Sequence, residues 1–183
     1  MLLPVTADDG VSLDIRYATA NNFTGKPIYA RPIALLRPEA RTALLAAAAR
    51  AAAIGLRLKI FDAFRPLEAQ WALWNALPDP RFVANPADGT GRHPRGIAVD
   101  LTFADRATAA ELDMGTGFDD MTPQSAHATL DLAPSALRNR ALLLGVMTAA
   151  GWEHIASEWW HYQLPGGDTL PLLWAKDVPG GPI

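Results

Sequence analysis

The sequence predicts a single domain in which helices and strands are mixed. The chain has 183 residues, enough to bury a substantial hydrophobic core without cross-links. Apolar and polar residues alternate in Leu56–Phe61, as in a half-buried strand, whereas Glu39–Ile54 is rich in alanine and leucine, as in a helix. No repeat, low-complexity tract or linker divides the sequence, so we expect one domain over residues 1–183.

The composition limits the classes of protein to consider. Half of the residues are hydrophobic and 19% are charged, which is typical of a globular protein. The net charge of -3 provides no basic surface, so we expect neither nucleic acid nor an acidic membrane as a partner. Cysteine is absent, and any metal must therefore be bound through nitrogen and oxygen. Asp8 and Asp9 interrupt a signal-peptide core, and no apolar run is long enough to span a membrane, so the expected location is the cytoplasm.

The first half of the chain alternates between strand and helix patterns. Val11–Tyr17 has apolar residues at every second position and predicts a strand. Pro38 suits the first turn of a helix, which we expect over Glu39–Ile54 and which Gly55 would end. Leu56–Phe61 is the clearest strand pattern in the sequence.

The second half continues the mixed pattern. We expect a helix over Leu67–Leu77, a buried strand over Ile97–Phe103 and a helix over Ser135–Ala150. Trp152–Leu164 is strand-like. The acidic segment Glu111–Met121 is irregular, and a long loop inside one domain is more often functional than idle.

The functional argument starts from a carboxylate in an apolar strand. Asp100 is the one acidic residue of Ile97–Phe103, and burying its charge is costly unless something compensates it. A divalent metal would do so. His93 precedes this strand, and Glu158 and His161 lie in a second apolar stretch. Two imidazoles and one carboxylate are a common zinc ligand set that leaves a position open for water, and the second carboxylate could act as its base.

These residue types also suggest roles. Zinc held by two histidines and Asp100 would lower the pKa of its water towards about 7, and Glu158 could take that proton and pass it to the leaving amine. Arg65, fixed by the following proline at a strand exit, is the best-placed cation for an oxyanion. Glu158 and His161 are three apart and would face opposite sides of a regular strand, so one of them must lie outside the strand or a bend must intervene.

Each residue also has a purely structural interpretation. Arg65 could pair only with Asp62, Asp100 could be a hydrogen-bonded strand residue, and Glu158 could belong to an ordinary strand end. The two remaining histidines are interpreted as surface or core residues. Each structural interpretation is at least as probable as its functional rival when taken alone, but together they require several unrelated coincidences.

The combination of motifs resembles the zinc D-alanyl-D-alanine dipeptidases of the VanX type, within the zinc D,D-peptidase group that also contains D,D-carboxypeptidases. The group's pattern S-x-H-x-x-G-x-A-x-D corresponds to Gly91–Asp100, and its E-x-x-H element corresponds to Glu158–His161. Further similar segments are Arg16–Thr19, Asn22–Gly25, Asp62–Pro66 and Asp113–Asp119. The resemblance thus covers nearly the whole chain.

The resemblance implies a fold and a metal site. The implied fold is α+β, of the hedgehog/D,D-peptidase kind, with a central, mainly antiparallel sheet and helices packed against it. The implied cofactor is one zinc ion per chain, held by His93, Asp100 and His161.

The resemblance also implies roles for residues around the metal. Glu158 would be the general base, and Arg65 would stabilise the transition state. Asp119 would accept the free ammonium group of the substrate. Tyr17 and Asp62 would support the substrate pocket.

One position departs from the family pattern. Gly91 stands where the family has a serine, two residues before the first zinc ligand. If that hydroxyl normally holds the substrate, this chain must use backbone N–H groups or the neighbouring Arg92 instead. The metal ligands themselves are unaffected.

The expected function is zinc-dependent hydrolysis of the small dipeptide D-alanyl-D-alanine to two D-alanines, in antibiotic resistance, cell-wall metabolism or nutrient use. A carboxylate such as Asp119 would select free dipeptides, because an amide-blocked chain would leave it buried and unpaired. Two alternatives stay open: a D,D-carboxypeptidase acting on peptidoglycan stems, and a catalytically silent, zinc-stabilised binding protein. The sequence leaves open whether the chain forms a homo-oligomer.

Overall fold

The fold is seen in a computed structural model that describes residues 1–183. In chain order, its strands are β1 Leu3–Val5, β2 Ser12–Leu13, β3 Ala34–Leu36, β4 Leu56–Asp62, β5 Ala98–Asp105, β6 Glu153–His154 and β7 His161–Gln163. Its helices are α1 Pro38–Ala53, α2 Leu67–Ala76 and α3 Pro134–Ala149. Short 3-10 turns connect several of these elements.

A five-stranded sheet in the order β2-β4-β5-β7-β6 forms the centre of the molecule, and β1 and β3 form a separate antiparallel pair. Only β2 and β4 run parallel, and all other neighbours in the large sheet are antiparallel. The predicted α+β fold with a mainly antiparallel sheet is therefore confirmed.

Helices α1 and α3 cover the sheet and contact each other. Helix α1 packs on β4, and α3 packs on β5. Alanines on α1, such as Ala47 and Ala51, are fully buried, and their small side chains allow the helix to approach its neighbours closely. Leu143 and Met147 of α3 complete this part of the core. None of the helices combines the length and the hydropathy that a membrane crossing requires.

Five predicted elements match the structure to within two residues at each end: α1, β4, α2, β5 and α3. The predicted strand Val11–Tyr17 is wrong over most of its length. Only Ser12–Leu13 pairs with β4, and Arg16–Ala18 then forms a 3-10 turn that buries Tyr17. The carbonyl of Tyr17 accepts the N–H groups of Ile28 and Tyr29, so a loop rather than a strand satisfies this backbone.

The strand-like stretch Trp152–Leu164 is divided. It forms the short strands β6 and β7, with turns between them, and His154 lies opposite Tyr162 in their ladder. Glu158 falls in the connecting segment and His161 begins β7. The geometric requirement that one of these two residues lie outside the strand is therefore met.

Candidate active site

A row of three residues crosses the sheet. Asp100 on β5 lies directly opposite Asp62 on β4 and opposite His161 on β7, and all three side chains are buried. The register of β4 shifts between Ile60 and Asp62. Without this shift Phe61 would oppose Asp100, and a carboxylate would be replaced in the row by an aromatic ring. Because opposite residues on neighbouring strands share a face, the row brings Asp62 and His161 to either side of Asp100.

His93 reaches the same row from a 3-10 turn, His93–Arg95, that leads into β5. The turn ends at Gly96, whose φ of 70° is left-handed. A Cβ at Gly96 would also lie 2.6 Å from Cδ2 of Leu2 and would displace the end of that side chain, so the left-handed φ is the main reason for glycine here. Nδ1 of His93 lies 2.6 Å from the carbonyl oxygen of Ala63, which orients the imidazole towards Asp100.

Donor atoms of His93, Asp100 and His161 converge. Nε2 of His93 lies 3.2 Å from Nδ1 of His161 and 3.3 Å from Oδ2 of Asp100. Nδ1 of His161 lies 3.0 Å from Oδ1 of Asp100. Tetrahedral zinc with bonds of about 2.0–2.1 Å places neighbouring ligand atoms about 3.3 Å apart, so the three separations suit such an ion.

The hydrogen bonds behind the two imidazoles test whether a cation fits. A carbonyl oxygen only accepts, so Nδ1 of His93 carries its proton and Nε2 presents a lone pair. Nε2 of His161 lies 3.2 Å from Oε1 of Gln163, which leaves Nδ1 as a lone pair. Two nitrogen lone pairs and a carboxylate facing one another repel unless a cation lies between them. The donor set therefore fits a divalent metal.

Asp100 is kept ionised. Burial disfavours its charge, but protonated imidazoles that donate to it outweigh burial and lower the pKa of this carboxyl far below its ordinary value. When the two nitrogens face it as lone pairs, a bound cation would take over this role. Arg65 also donates from Nη2 to Oδ2 of Asp100 over 3.3 Å.

Arg65 is surrounded by acceptors. Its Nε donates to Oδ2 of Asp62 over 2.8 Å, and its Nη1 donates to Oε1 of Gln70 over 2.9 Å. Its guanidinium carbon lies 5.0 Å from the centroid of the Tyr17 ring. Burial opposes the charge, but the carboxylate of Asp62 and neighbouring groups raise the pKa of Arg65 well above its ordinary value. Arg65 is thus a permanent cation that pairs with Asp62 and also reaches Asp100.

Glu158 borders the cavity beside these residues and is 6% exposed. Burial raises its pKa to about 8. The following residues fix its position: the backbone N–H of Trp159 donates to the carbonyl of Ser125 over 3.0 Å, and the carbonyl of Trp160 accepts the N–H of Leu101 over 3.1 Å. The side chain is therefore a buried carboxyl on a backbone tied to β5 and to a second loop.

Asp119 is the second carboxyl with a raised pKa. Its φ of 60° is left-handed, and burial raises its pKa to about 7. The hydroxyl of Tyr17 donates to Oδ1 over 3.2 Å, whereas Oδ2 is buried without a hydrogen-bond partner. A buried oxygen without a partner at the wall of a cavity indicates a position for a ligand that donates hydrogen bonds.

The cavity between these groups has a volume of about 200 Å³. Tyr17, Gly91, Arg65, Glu158 and the three candidate metal ligands line it. Part of its wall is apolar and is formed by Phe23, Leu73, Phe82, Val83 and Met121. Asp62 is fully buried behind Arg65 and is not part of the wall, so it supports the site rather than bordering it.

Sequence reasoning missed several residues of this arrangement. Tyr29 donates to Oδ1 of Asp62 over 2.8 Å, and Gln70 holds Arg65 from α2. Nothing in their local sequence marks these contacts. Gln163 had a signal, because a residue two positions after His161 in a strand lies on the same face.

The family model described as "D-ala-D-ala dipeptidase" matches residues 4–173, which is most of the chain. The chain belongs to the D-Ala-D-Ala dipeptidase family. It is therefore a peptidase, as its motifs predicted. The resemblance of Gly91–Asp100 and Glu158–His161 to the family patterns is confirmed at the level of the family.

Relatives in this family are similar along most of the chain. The D-alanyl-D-alanine dipeptidase of Escherichia coli (strain K12) is 44% identical over 163 residues, which cover 89% of this chain and 83% of that protein. The D-alanyl-D-alanine dipeptidase of Streptomyces coelicolor is 35% identical, with 87% of this chain and 90% of that protein covered. Among solved structures, a mutant of the vancomycin resistance D,D-pentapeptidase VanY in complex with Zn(II) is 16% identical, with a TM-score of 0.49 over 89% of this chain and 83% of that one.

Proposed function

We propose that this peptidase hydrolyses D-alanyl-D-alanine to two D-alanines with one zinc ion. The observation that carries the proposal is the convergence of three lone-pair donors, on His93, Asp100 and His161, beside a cavity that also holds two buried carboxyls. The substrate of the proposal, D-alanyl-D-alanine, is inferred from the relatives named above, which are D-alanyl-D-alanine dipeptidases.

In the proposed mechanism, the metal and the carboxyl group of Glu158 have different roles. Zinc at the three donors would supply a Lewis acid and a water whose pKa lies near about 7. Glu158 is outside this donor set and would take a proton from the attacking water and give it to the leaving amine nitrogen. Its pKa is raised to about 8 because burial outweighs the opposing effects of His161 and Arg65. Positive charge at the three donors favours its ionised form and so prepares it to accept a proton.

Arg65 would stabilise the negative charge that develops on the carbonyl oxygen. Three of its N–H groups are held by Asp62, Gln70 and Asp100. A guanidinium group has five N–H donors, so others remain for the oxyanion. Because the bound carboxylates and the amide fix the side chain, no reorganisation is needed when the charge forms.

Asp119 favours a free dipeptide over a longer peptide. The ammonium group of a dipeptide would pair with its carboxylate and satisfy the buried Oδ2, whereas an acylated nitrogen has no charge and would offer that carboxylate only one neutral N–H. The cavity volume of about 200 Å³ is also small. Drug-sized ligands occupy pockets of about 300–1,000 Å³. Both features favour a dipeptidase over a carboxypeptidase that acts on peptidoglycan stems.

A substrate panel on zinc-loaded protein tests the proposal. D-Ala-D-Ala, its D,L, L,D and L,L isomers and N-acetyl-D-Ala-D-Ala would be compared by kcat/KM, with zinc-free protein as the control. We expect the free D,D-dipeptide to be cleaved fastest and the zinc-free protein to be inactive. Faster cleavage of the acetylated substrate would instead indicate the carboxypeptidase, and zinc binding without hydrolysis of any substrate would indicate the binding protein.

A further inference from the structure

The cavity has few positive side chains. Of the residues that line it, only Arg65 and Arg92 carry a guanidinium group, and none is a lysine. A dipeptide is a zwitterion, so its binding site needs one group for the ammonium and one for the carboxylate. Asp119 is suited to the ammonium, and the two arginines are the cationic side chains that can pair with the carboxylate.

Arg65 is poorly suited to a substrate carboxylate. Its guanidinium is in contact with Asp62 at 2.8 Å and with Asp100 at 3.3 Å. Three of its N–H groups are already held by Asp62, Gln70 and Asp100. In the proposed mechanism the remaining donors serve the carbonyl oxygen under attack, so a substrate carboxylate on the same guanidinium would compete with that role.

Arg92 has capacity for another acceptor. Its Nη2 pairs with Oδ1 of Asp168 at 2.8 Å, but the side chain of Asp168 is 73% exposed, whereas that of Arg92 is 18% exposed. Exposed partners of this kind contribute little, because water screens them. Nη1 of Arg92 is buried and has no hydrogen-bond partner in the protein. A buried N–H group of a cation that has no acceptor is costly, and it is satisfied when an anion binds.

Two glycines shape the surroundings of Arg92. Gly91 lines the cavity, and a Cβ on it would lie 3.2 Å from Cδ of Pro94, so this wall offers backbone and the adjacent guanidinium in place of a side chain. Gly167 packs close to the same arginine: a Cβ there would lie 3.5 Å from Nη1 of Arg92 and 2.0 Å from Cδ1 of Ile97. A side chain at Gly167 would therefore displace the end of Ile97, and the glycine lets this loop lie against both Ile97 and Arg92.

We propose that Arg92 binds the C-terminal carboxylate of the dipeptide. Asp119 and Arg92 then select a zwitterion, one end each, and the two groups belong to different parts of the fold: Asp119 contacts Tyr17, whereas Arg92 contacts the loop around Asp168. The inference rests on the proposed dipeptidase function. It assigns the carboxylate to a side chain next to Gly91, at the position where this chain departs from the family pattern.

The test measures binding rather than turnover. Glu158→Gln protein loaded with zinc is titrated calorimetrically with D-Ala-D-Ala and with D-Ala-D-alaninamide, which lacks the carboxylate. Adding Arg92→Ala should raise the Kd for the acid about tenfold or more, since a charge-assisted hydrogen bond is lost, and should change the Kd for the amide less than about twofold.

Two further variants in the same background serve as controls. Arg138→Ala removes an exposed arginine on α3 and should leave both Kd values unchanged. Asp168→Asn removes the competing carboxylate and should leave the affinity for the acid equal or higher. Zinc content and Tm, measured for every variant, show whether the fold is retained.

Three results would overturn the inference, and they differ from one another. Equal weakening of the acid and the amide by Arg92→Ala would show that Arg92 acts only through the structure. Undiminished binding of the acid to Arg92→Ala would show that another group holds the carboxylate, while the dipeptidase proposal would stand. Failure of the parent Glu158→Gln protein to bind either compound would remove the dipeptidase proposal and this inference together.

Discussion

Three buried carboxyls border the cavity, and their surroundings give them different protonation. Positive charge and hydrogen-bond donors beside Asp100 lower its pKa far below the ordinary value, despite burial. Burial raises the pKa of Asp119 to about 7 and that of Glu158 to about 8. Carboxyls whose environments separate their pKa values are suited to different tasks. In the proposed mechanism these tasks are metal binding, ammonium binding and proton transfer.

Replacing Glu158 with glutamine should remove proton transfer and keep the fold. We expect kcat for D-Ala-D-Ala to fall by about 10²–10⁴, the usual contribution of a general acid–base group. Zinc content, measured by elemental analysis, should remain one ion per chain, because Glu158 is outside the donor set. Glu153→Gln, an exposed glutamate on β6, is the matched control and should retain full activity. Loss of zinc with unchanged kcat would contradict the assigned roles.

At the scale of elements, α3 holds the loop that carries Asp119. Arg140 of α3 is buried and donates to this loop through all three of its nitrogens. Its acceptors are the carbonyls of Met114, Gln124 and Ala126 and the hydroxyl of Thr116. The indole of Trp159 donates to the same hydroxyl over 2.8 Å. One arginine thus connects the Asp119 loop to the segment that follows Glu158.

Arg140→Ala should therefore destabilise the protein and weaken substrate binding. The change leaves several buried carbonyls without donors, and we expect a loss of about 3 kcal/mol in the free energy of unfolding, or roughly 6–12 °C in Tm. KM should rise because the Asp119 loop is no longer held. Calorimetry and steady-state kinetics would measure both effects. Arg138→Ala, exposed on the same helix, should change neither, and equal effects of the two variants would show that the network is unimportant.

Helices and buried strands could be predicted from the sequence because their residues repeat with a regular period. Helix α1 and strand β4 were identified in this way. Val11–Tyr17 was not, since its alternation fits a strand but its backbone is satisfied by the loop at Ile28 and Tyr29. The local pattern of apolar residues carries no information about which distant backbone groups will form hydrogen bonds with the segment.

The convergence of the three proposed metal ligands could be predicted from the sequence, whereas the residues that support them could not. His93, Asp100 and His161 stand out as polar residues in apolar or Gly/Pro-rich sequence, and family motifs contain them. The shift of register that places Asp62 opposite Asp100 leaves no local signature. Contacts such as that of Arg140 with the Asp119 loop join positions 26 residues apart and depend on the complete fold.

For the molecule as a whole, Asp119 makes stability depend on pH. Its pKa is raised in the folded chain to about 7 from an ordinary 3.8, so the folded state binds a proton that the unfolded state releases. The cost of ionising it is absent below about pH 4, grows as pH rises from about 4 to about 7, and is then fully present.

Asp119→Asn should remove this cost. In zinc-free protein, the variant should gain stability over the parent as pH rises from about 4 to about 7, by a few kcal/mol at the upper end. Urea unfolding at several pH values would measure the difference. Asp120→Asn, the neighbouring position, is the control. A difference between Asp119→Asn and the parent that does not vary with pH would contradict the buried, ionisable state of Asp119.

The row across β4, β5 and β7 has a consequence for how the protein would acquire the proposed metal. His161 is separated from Asp100 by 61 positions and from His93 by 68. Contacts of such long range form late in folding, because closing a long loop costs entropy before the contacts of the sheet have formed to compensate for it. A partly folded chain thus offers His93 and Asp100, seven positions apart, without the third donor, and it should bind an ion more weakly than the complete site does. Cellular zinc would be captured by the finished sheet, and the order of events would be folding first and metallation second.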